Sequence, residues 1–267
     1  TNVGIYIDGF YSPNPTMADF QLMKVKSIQV LKGPQGTLFG RNTTGGAILV
    51  NSVEPSTDTS AEAQVSYGRF NEIEGKAYAT FGISDRVAID VEGMYASGDN
   101  WQRNLTTGKK DADWNHWSVR LGMKAELSDA VSILLRYSHA ERDDPTAILT
   151  STYVDSDVGI GAPVFATPAQ YTTNKNAYVE RVPRFENSNS DVIQMTLNAD
   201  LGFADLTSYS QYRKEFADSS YPLDHSAVVV FQIGLPIVNK TWSQEFLLTS
   251  KPGGPLQWTA GVFYFQN

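Results

Sequence analysis

From residue 61 onward the side chains alternate with a period of two, in one segment after another. Ala61, Ala63, Val65 and Tyr67 are set against Glu62, Gln64 and Ser66. Ile73, Gly75, Ala77, Ala79 and Phe81 oppose Glu74, Lys76, Tyr78 and Thr80, and Val87, Ile89, Val91, Gly93 and Tyr95 oppose Ala88, Asp90, Glu92 and Met94. The same holds for Trp117 to Ala125, Val131 to His139, Ile193 to Ala199 and Trp258 to Tyr264, each taken every second residue. Residues 206–216 and 242–250 also read as strands, but their faces are ambiguous. Such alternation marks strands with one apolar and one polar face. One face carries Asp90, Glu92, Arg120, Lys124 and Arg136, and the other carries essentially no charge. Lipid imposes that condition, since a charge at the bilayer midplane costs about 2–4 kcal/mol. A soluble sandwich alternates too, with its polar face outside, so the pattern alone leaves both architectures open.

The connections decide between them. Residues 82–86, 127–130, 201–204 and 250–255 are tight turns built on Ser-Asp, Gly or Pro-Gly-Gly. Residues 97–115, 141–190 and 217–240 are long, polar and rich in Asp or Asn, and only the first connection on that side, 68–71, is short. Short turns at one end and long loops at the other characterise outer-membrane barrels, whereas loops of this length are uncommon inside compact soluble domains. No run of about 18 apolar residues is present, so no transmembrane helix is expected. The absence of Cys excludes disulfides and thiolate metal sites, and a formal net charge of -8 argues against nucleic-acid binding.

Ahead of the alternating part lies a different kind of segment. Residues 25–32 alternate as a strand, Gly33-Pro34 stops it, and residues 35–39 are long enough for one helical turn only. Gly40, Gly45 and Gly46 then bracket Arg41, Asn42, Thr43 and Thr44, and residues 47–51 resume as a strand. Glycine at that density allows positive φ and close backbone approach. A phosphate cradle is not expected, because the turn lacks the Lys-Ser/Thr ending of a P-loop. Residues 18–23 read as a short helix, and residues 54–60, rich in Ser, Thr and Pro, as a linker.

The run Lys32-Gly-Pro-Gln-Gly-Thr-Leu-Phe-Gly-Arg-Asn-Thr-Thr-Gly-Gly-Ala-Ile48 closely resembles the end of the plug domain in TonB-dependent outer-membrane receptors. Val3-Gly-Ile-Tyr-Ile-Asp-Gly9 resembles the same family's plug strand with its Asp-Gly turn, and one departure in the longer run is Lys32, where the family more often has Arg. The resemblance implies residues 1–56 as the C-terminal part of a plug domain and 57–267 as the N-terminal part of the barrel. The fold expected is an all-β transmembrane antiparallel β-barrel, partial, with about nine of about 22 strands, around a small α+β plug segment. A nine-stranded sheet has two open edges, which lipid does not tolerate, so the chain reads as a fragment that does not function alone.

The function implied is TonB-dependent active import across the outer membrane of a Gram-negative bacterium, most often of an iron–siderophore complex. Cobalamin, haem or oligosaccharide are alternatives on the same fold, and a passive porin or adhesin-like barrel is the alternative of another class. That last alternative leaves the plug motif unexplained. The partners implied are TonB with its inner-membrane energising complex, reached through an N-terminal segment outside this sequence, an extracellular small-molecule ligand, and outer-membrane lipid. No Gly-x-Ser-x-Gly elbow and no Ser-His-acid set is evident, so no enzyme, catalytic residue, metal site or cofactor is expected beyond an iron chelate as ligand.

The site residues expected in the plug are Lys32, Gly33, Gly36, Gly40, Arg41, Asn42, Gly45 and Gly46. By resemblance Lys32 pairs with glutamates of the inner wall, and Arg41 and Asn42 line a path through the lumen; the plainer alternative is a compact glycine turn. Loops on a rigid scaffold often carry binding residues. Ligand-binding candidates are therefore Trp101, Arg103, Trp114, His116, Tyr153, Tyr171, Tyr178, Arg181 and Arg184, aromatics and arginines suited to an anionic chelate. For Trp101 and Trp114 an interfacial anchor is the alternative.

Overall fold

The computed structural model describes residues 2–12, 24–40, 42–100, 103–105, 108, 113–145, 177–178, 185–222 and 232–267. The first of its sheets is small. It contains β1 (Val3–Ile7), β2 (Phe10–Ser12), β3 (Val25–Lys32) and β4 (Gly46–Ser52) in the order β2-β1-β4-β3, with β1 parallel to β4 and the other pairs antiparallel. Asp8 (φ 53°) and Gly9 (φ 87°) both take positive φ, the geometry that lets a two-residue turn match strand twist. Between β3 and β4 sits α1 (Gly36–Phe39), a single turn held by packing. Tyr6, Tyr11 and Ala47 form the buried core, with Leu31, Phe39 and Leu49 packed on it. Gly46 is required where the two strands meet: at φ 147° an added Cβ would lie 2.3 Å from the Leu31 carbonyl oxygen. The helix expected at 18–23 lies outside the described residues.

The second sheet is antiparallel throughout. Its strands are β5 (Ser60–Tyr67), β6 (Ile73–Ser84), β7 (Val87–Gly98), β9 (Trp114–Ser128), β10 (Val131–Asp144), β12 (Phe185–Asp200), β13 (Ala204–Pro222), β15 (Ile237–Ser250) and β16 (Thr259–Gln266). They pair in that chain order, and β14 (Gln232–Gly234) adds to β13. Two-residue strands β8 (Arg103–Asn104) and β11 (Ala177–Tyr178) pair with each other in parallel. The nine alternating segments are therefore nine consecutive strands of one partial barrel wall.

The strands run further than the alternation does. Residues 141–144 and 185–190 read from sequence as loop but belong to β10 and β12, and residues 217–222 and 237–240 extend β13 and β15. Backbone pairing needs no apolar side chains once the strands rise past the hydrocarbon band, so the ladder continues where the pattern stops.

The small sheet lies against one face of the wall, and that face is the charged one. Arg120 and Arg136 point to it and are buried, whereas Leu121 on the other face is 49% exposed. The ambiguous strands resolve the same way. Tyr209, Gln211, Arg213 and Glu215 face inward, so Ser208, Ser210 and Gln244 face outward. There the Ser210 hydroxyl donates to Gln244 Oε1 at 2.6 Å and Gln244 Nε2 donates to Ser208 Oγ at 2.9 Å. These polar groups blur the alternation in sequence and satisfy one another in the fold.

Candidate functional site

The site is the seam between the small sheet and the inner wall, and it begins at the Asp8–Gly9 turn. β13 climbs from the short turn at 201–203. On its inner face Tyr209 lies beside Gly9 and Phe10, and two residues higher Gln211 Nε2 donates to the Tyr11 carbonyl at 3.4 Å. Hence the Asp8 turn sits nearer the short-turn end. The far end of β1 and β4, with α1 and the glycine-rich turn, points toward the long loops.

Asp8 is held by the wall. Arg136 of β10 donates from Nη1 to Asp8 Oδ2 at 2.5 Å and to the Ser52 hydroxyl, and from Nη2 to the Val53 carbonyl at 2.9 Å. Arg120 of β9 stands 3.7 Å from the same Asp8 oxygen and pairs with Glu92 of β7 at 2.6 Å. Asp8 also accepts from the Ser52 amide at 2.7 Å, which ties the β1–β2 turn to the end of β4. Arg136, Arg120 and Glu92 are almost fully buried and Asp8 is 13% exposed. Charges so removed from water are tolerable only when paired and hydrogen-bonded, and this geometry supplies both.

The linker that follows is fastened residue by residue. Val53 is bound by Arg136, Glu54 pairs with Lys124 at 3.0 Å, and Pro55 lies beside Gly122. The Ser56 amide donates to Thr80 Oγ1 at 2.8 Å, and the Thr57 carbonyl lies against Gly82. The chain thereby crosses β10, β9 and β6 on its way to β5. A Ser/Thr/Pro-rich composition alone gives no sign of this attachment.

Toward β13 and β16 the seam is aromatic. Phe10 meets Tyr209 edge-on at 5.5 Å between centroids, and Tyr11 meets Phe265 at 6.2 Å. Tyr6 packs edge-on against Phe39 at 5.1 Å, with its hydroxyl on the Phe39 carbonyl. Asn42 Nδ2 donates to the Tyr11 hydroxyl at 2.7 Å, which fixes the glycine-rich turn over this aromatic floor.

The expected plug residues fall into two groups. Gly33, Gly36, Gly40, Asn42, Gly45 and Gly46 surround the turn, where Gly33 N–H donates to the Gly45 carbonyl at 3.2 Å and Gly45 N–H to the Asn2 carbonyl at 2.7 Å. Lys32 ends β3, is exposed, and makes no ion pair among the described residues. Of the loop candidates, Trp114 and His116 share the parity of Arg120 and so line the lumen, their rings stacked at 5.3 Å. Trp114 also lies over Gly98, where a Cβ would meet its ring at 2.8 Å. The outward aromatic on that strand is Trp117, level with Tyr95. Arg103 is exposed and its backbone pairs with Ala177. For Tyr178 the backbone in β11 is described; Arg41, Trp101, Tyr153, Tyr171, Arg181 and Arg184 lie outside the described residues.

Sequence reasoning placed Arg120, Arg136 and Glu92 on the charged face but missed their assembly around Asp8. The available signal was a carboxylate in a turn that needs no charge, opposite an inner wall carrying arginines.

Residues 1–47 match the family described as TonB-dependent Receptor Plug Domain. Among curated proteins, the ferrioxamine B receptor of Salmonella typhimurium is 29% identical over 103 residues, 36% of this chain and 14% of that protein. The catecholate siderophore receptor Fiu of Escherichia coli is 24% identical over 177 residues, 66% of this chain and 21% of that protein. Among solved structures, the ferric yersiniabactin uptake receptor FyuA of Yersinia pestis superposes with a TM-score of 0.78 at 16% identity, covering 99% of this chain and 39% of the other. The siderophore receptor PiuA of Acinetobacter baumannii gives 0.76 at 18% identity, covering 98% and 37%. This chain thus spans about a fifth or less of the curated relatives it matches.

Proposed function

We propose that this chain is part of a TonB-dependent receptor and serves the active import of a scarce iron–siderophore complex across the outer membrane of a Gram-negative bacterium. In this reading residues 1–56 are plug and 57–267 are wall. Energy arrives from TonB and its inner-membrane complex, the captured ligand comes from outside, and no step is catalytic. The observation that carries the reading is the plug sheet seated on the charged face of the wall, with Asp8 clamped by Arg136 and Arg120. A passive pore has no need of a stopper fastened in this way.

Capture of the ligand falls to the aromatic floor of Tyr11 and Phe39, to Asn42 bonded over it, and to Trp114 and His116 on the wall. Lys32 serves as the plug's cation toward acids of the wall outside this chain. The test is uptake of radioactive iron in cells carrying the full-length receptor, presented as complexes of ferrioxamine B, a catecholate and yersiniabactin. Uptake of at least one complex that stops when the membrane is de-energised is expected. Equal uptake with and without energy defeats the import reading. Lys32→Gln is expected to loosen the plug, and unchanged plug stability together with unchanged uptake removes Lys32 from that role.

A further inference from the structure

The inner wall beside the plug carries its own counter-ions. Among the described residues, the wall's buried charged side chains around Asp8 are Asp90 and Glu92 of β7, Arg120 of β9 and Arg136 of β10. These are two carboxylates and two guanidiniums, which balance without the plug. Docking of the Asp8 turn adds a third carboxylate, and the surplus falls on one residue. Arg120 is engaged by Glu92 at 2.6 Å. Both terminal nitrogens of Arg136 are turned to Asp8, Ser52 and Val53, all on the plug and linker side. Asp90 is 4% exposed, and its Oδ2 has no hydrogen-bond partner.

Asp90 nonetheless stands on the same inward face of the wall as Arg136. The two residues lie on one cross-strand row, Asp90 to Gly122 to Arg136. Two strand spacings put their backbones about 10 Å apart, within reach of an extended arginine and an aspartate. The residue between them has no side chain. A Cβ at Gly122 would stand 2.2 Å from Asp90 Oδ1, so the carboxylate already occupies the space above that glycine. Arg136 Nε, buried and unbonded, offers a further donor.

We propose that Asp90 is the standby partner of Arg136: when the Asp8 turn leaves the wall, the guanidinium passes across Gly122 to Asp90. Plug release then exchanges one buried ion pair for another and never strands an arginine in the lumen wall. Removing one member of a buried pair is costly because the other charge stays behind unpaired; a waiting carboxylate removes that obstacle while the three contacts of Arg136 hold the resting plug in place. The inference rests on the import reading for its purpose, since only a plug that moves needs a second partner, but its test does not depend on uptake.

The experiment uses the full-length receptor in a bilayer, with its plug pulled from the periplasmic side at fixed load and the lifetime of the Asp8 clamp recorded. Asp90→Asn is expected to lengthen that lifetime about tenfold, and Asp90→Glu to return it toward wild type. Asp8→Asn shortens it by a similar factor. In the Asp8→Asn background, Arg136 already rests on Asp90, so adding Asp90→Asn produces no lengthening. Asp90→Ser serves as the second variant should Asp90→Asn insert poorly. Equal lifetimes for wild type and the Asp90 variants overturn the exchange, as does the same lengthening in both Asp8 backgrounds, which marks Asp90 as merely structural. Energised iron uptake by the wild type with unchanged Asp90 lifetimes leaves the import reading standing and the exchange refuted. Prolonged lifetimes in a receptor that imports no iron complex do the reverse.

Discussion

The plug sheet meets its wall along two flanks of opposite character. Toward β7, β9 and β10 the contact is charged and directional, with Asp8, Ser52 and Val53 all converging on Arg136. Toward β13 and β16 it is mainly a contact of rings, Phe10 on Tyr209 and Tyr11 on Phe265, with one neutral hydrogen bond at 3.4 Å from Gln211 to the Tyr11 carbonyl. The two fail differently. Loss of one partner in a buried ion pair leaves a whole charge uncompensated, whereas ring contact declines gradually with the area lost. The charged flank therefore does most to set where the small sheet sits, and the aromatic flank fills the remaining seam.

Substitutions in the full-length receptor can break this contrast. Arg136→Ala is expected to have the largest effect, weakening retention of the plug by about 3–5 kcal/mol, read as earlier denaturant-induced release or as proteolysis within residues 1–52. An effect no greater than that of a ring substitution would erase the distinction between the flanks. Gly46→Ala comes next. It strains the β3–β4 junction at φ 147° and costs about 1–3 kcal/mol. Because it acts inside the plug sheet, melting of the plug should change while the force needed to break the Asp8 clamp does not. Tyr209→Leu removes one ring pair and should cost about 0.5–1.5 kcal/mol beyond the area it uncovers, with release spread over a broader range of load rather than displaced as a whole. Lys251→Ala sits at the small end of the series. Lys251 pairs with Asp200 and Asp205 at the exposed short-turn end, where solvent screens the charges. Plug retention measured in the same way should not move.

Much of this architecture was legible residue by residue. Val119 and Leu121 outward with Arg120 inward, or Leu135 and Tyr137 outward with Arg136 inward, follow from a period of two and from the cost of charge in lipid. The strand, glycine turn and strand of residues 25–52 followed from Gly33-Pro34 and the glycines at 40, 45 and 46. Legibility failed where side chains answered to neighbours and not to the bilayer. Ser208, Ser210 and Gln244 disguised the outward face of β13 and β15 by bonding one another. The ends of β10, β12, β13 and β15 were hidden because backbone ladders outlast the apolar pattern. Trp114 showed the reverse: its parity put it in the lumen, although its residue type suited an interface anchor equally well.

By itself the sequence settled which side of each strand other than β13 and β15 faces lipid, where the chain turns, and that a glycine-hinged segment precedes the wall. Those properties are local, set by one residue's chemistry and its position in a two-residue repeat. Only the folded chain decided that Asp8 meets Arg136 across 128 positions, that Gly122 leaves Asp90 room, and that the linker is fastened at each step. No periodicity encodes such pairings. They arise because the wall brings distant inward side chains to one depth, and burial there leaves a charge no partner but the one across the seam.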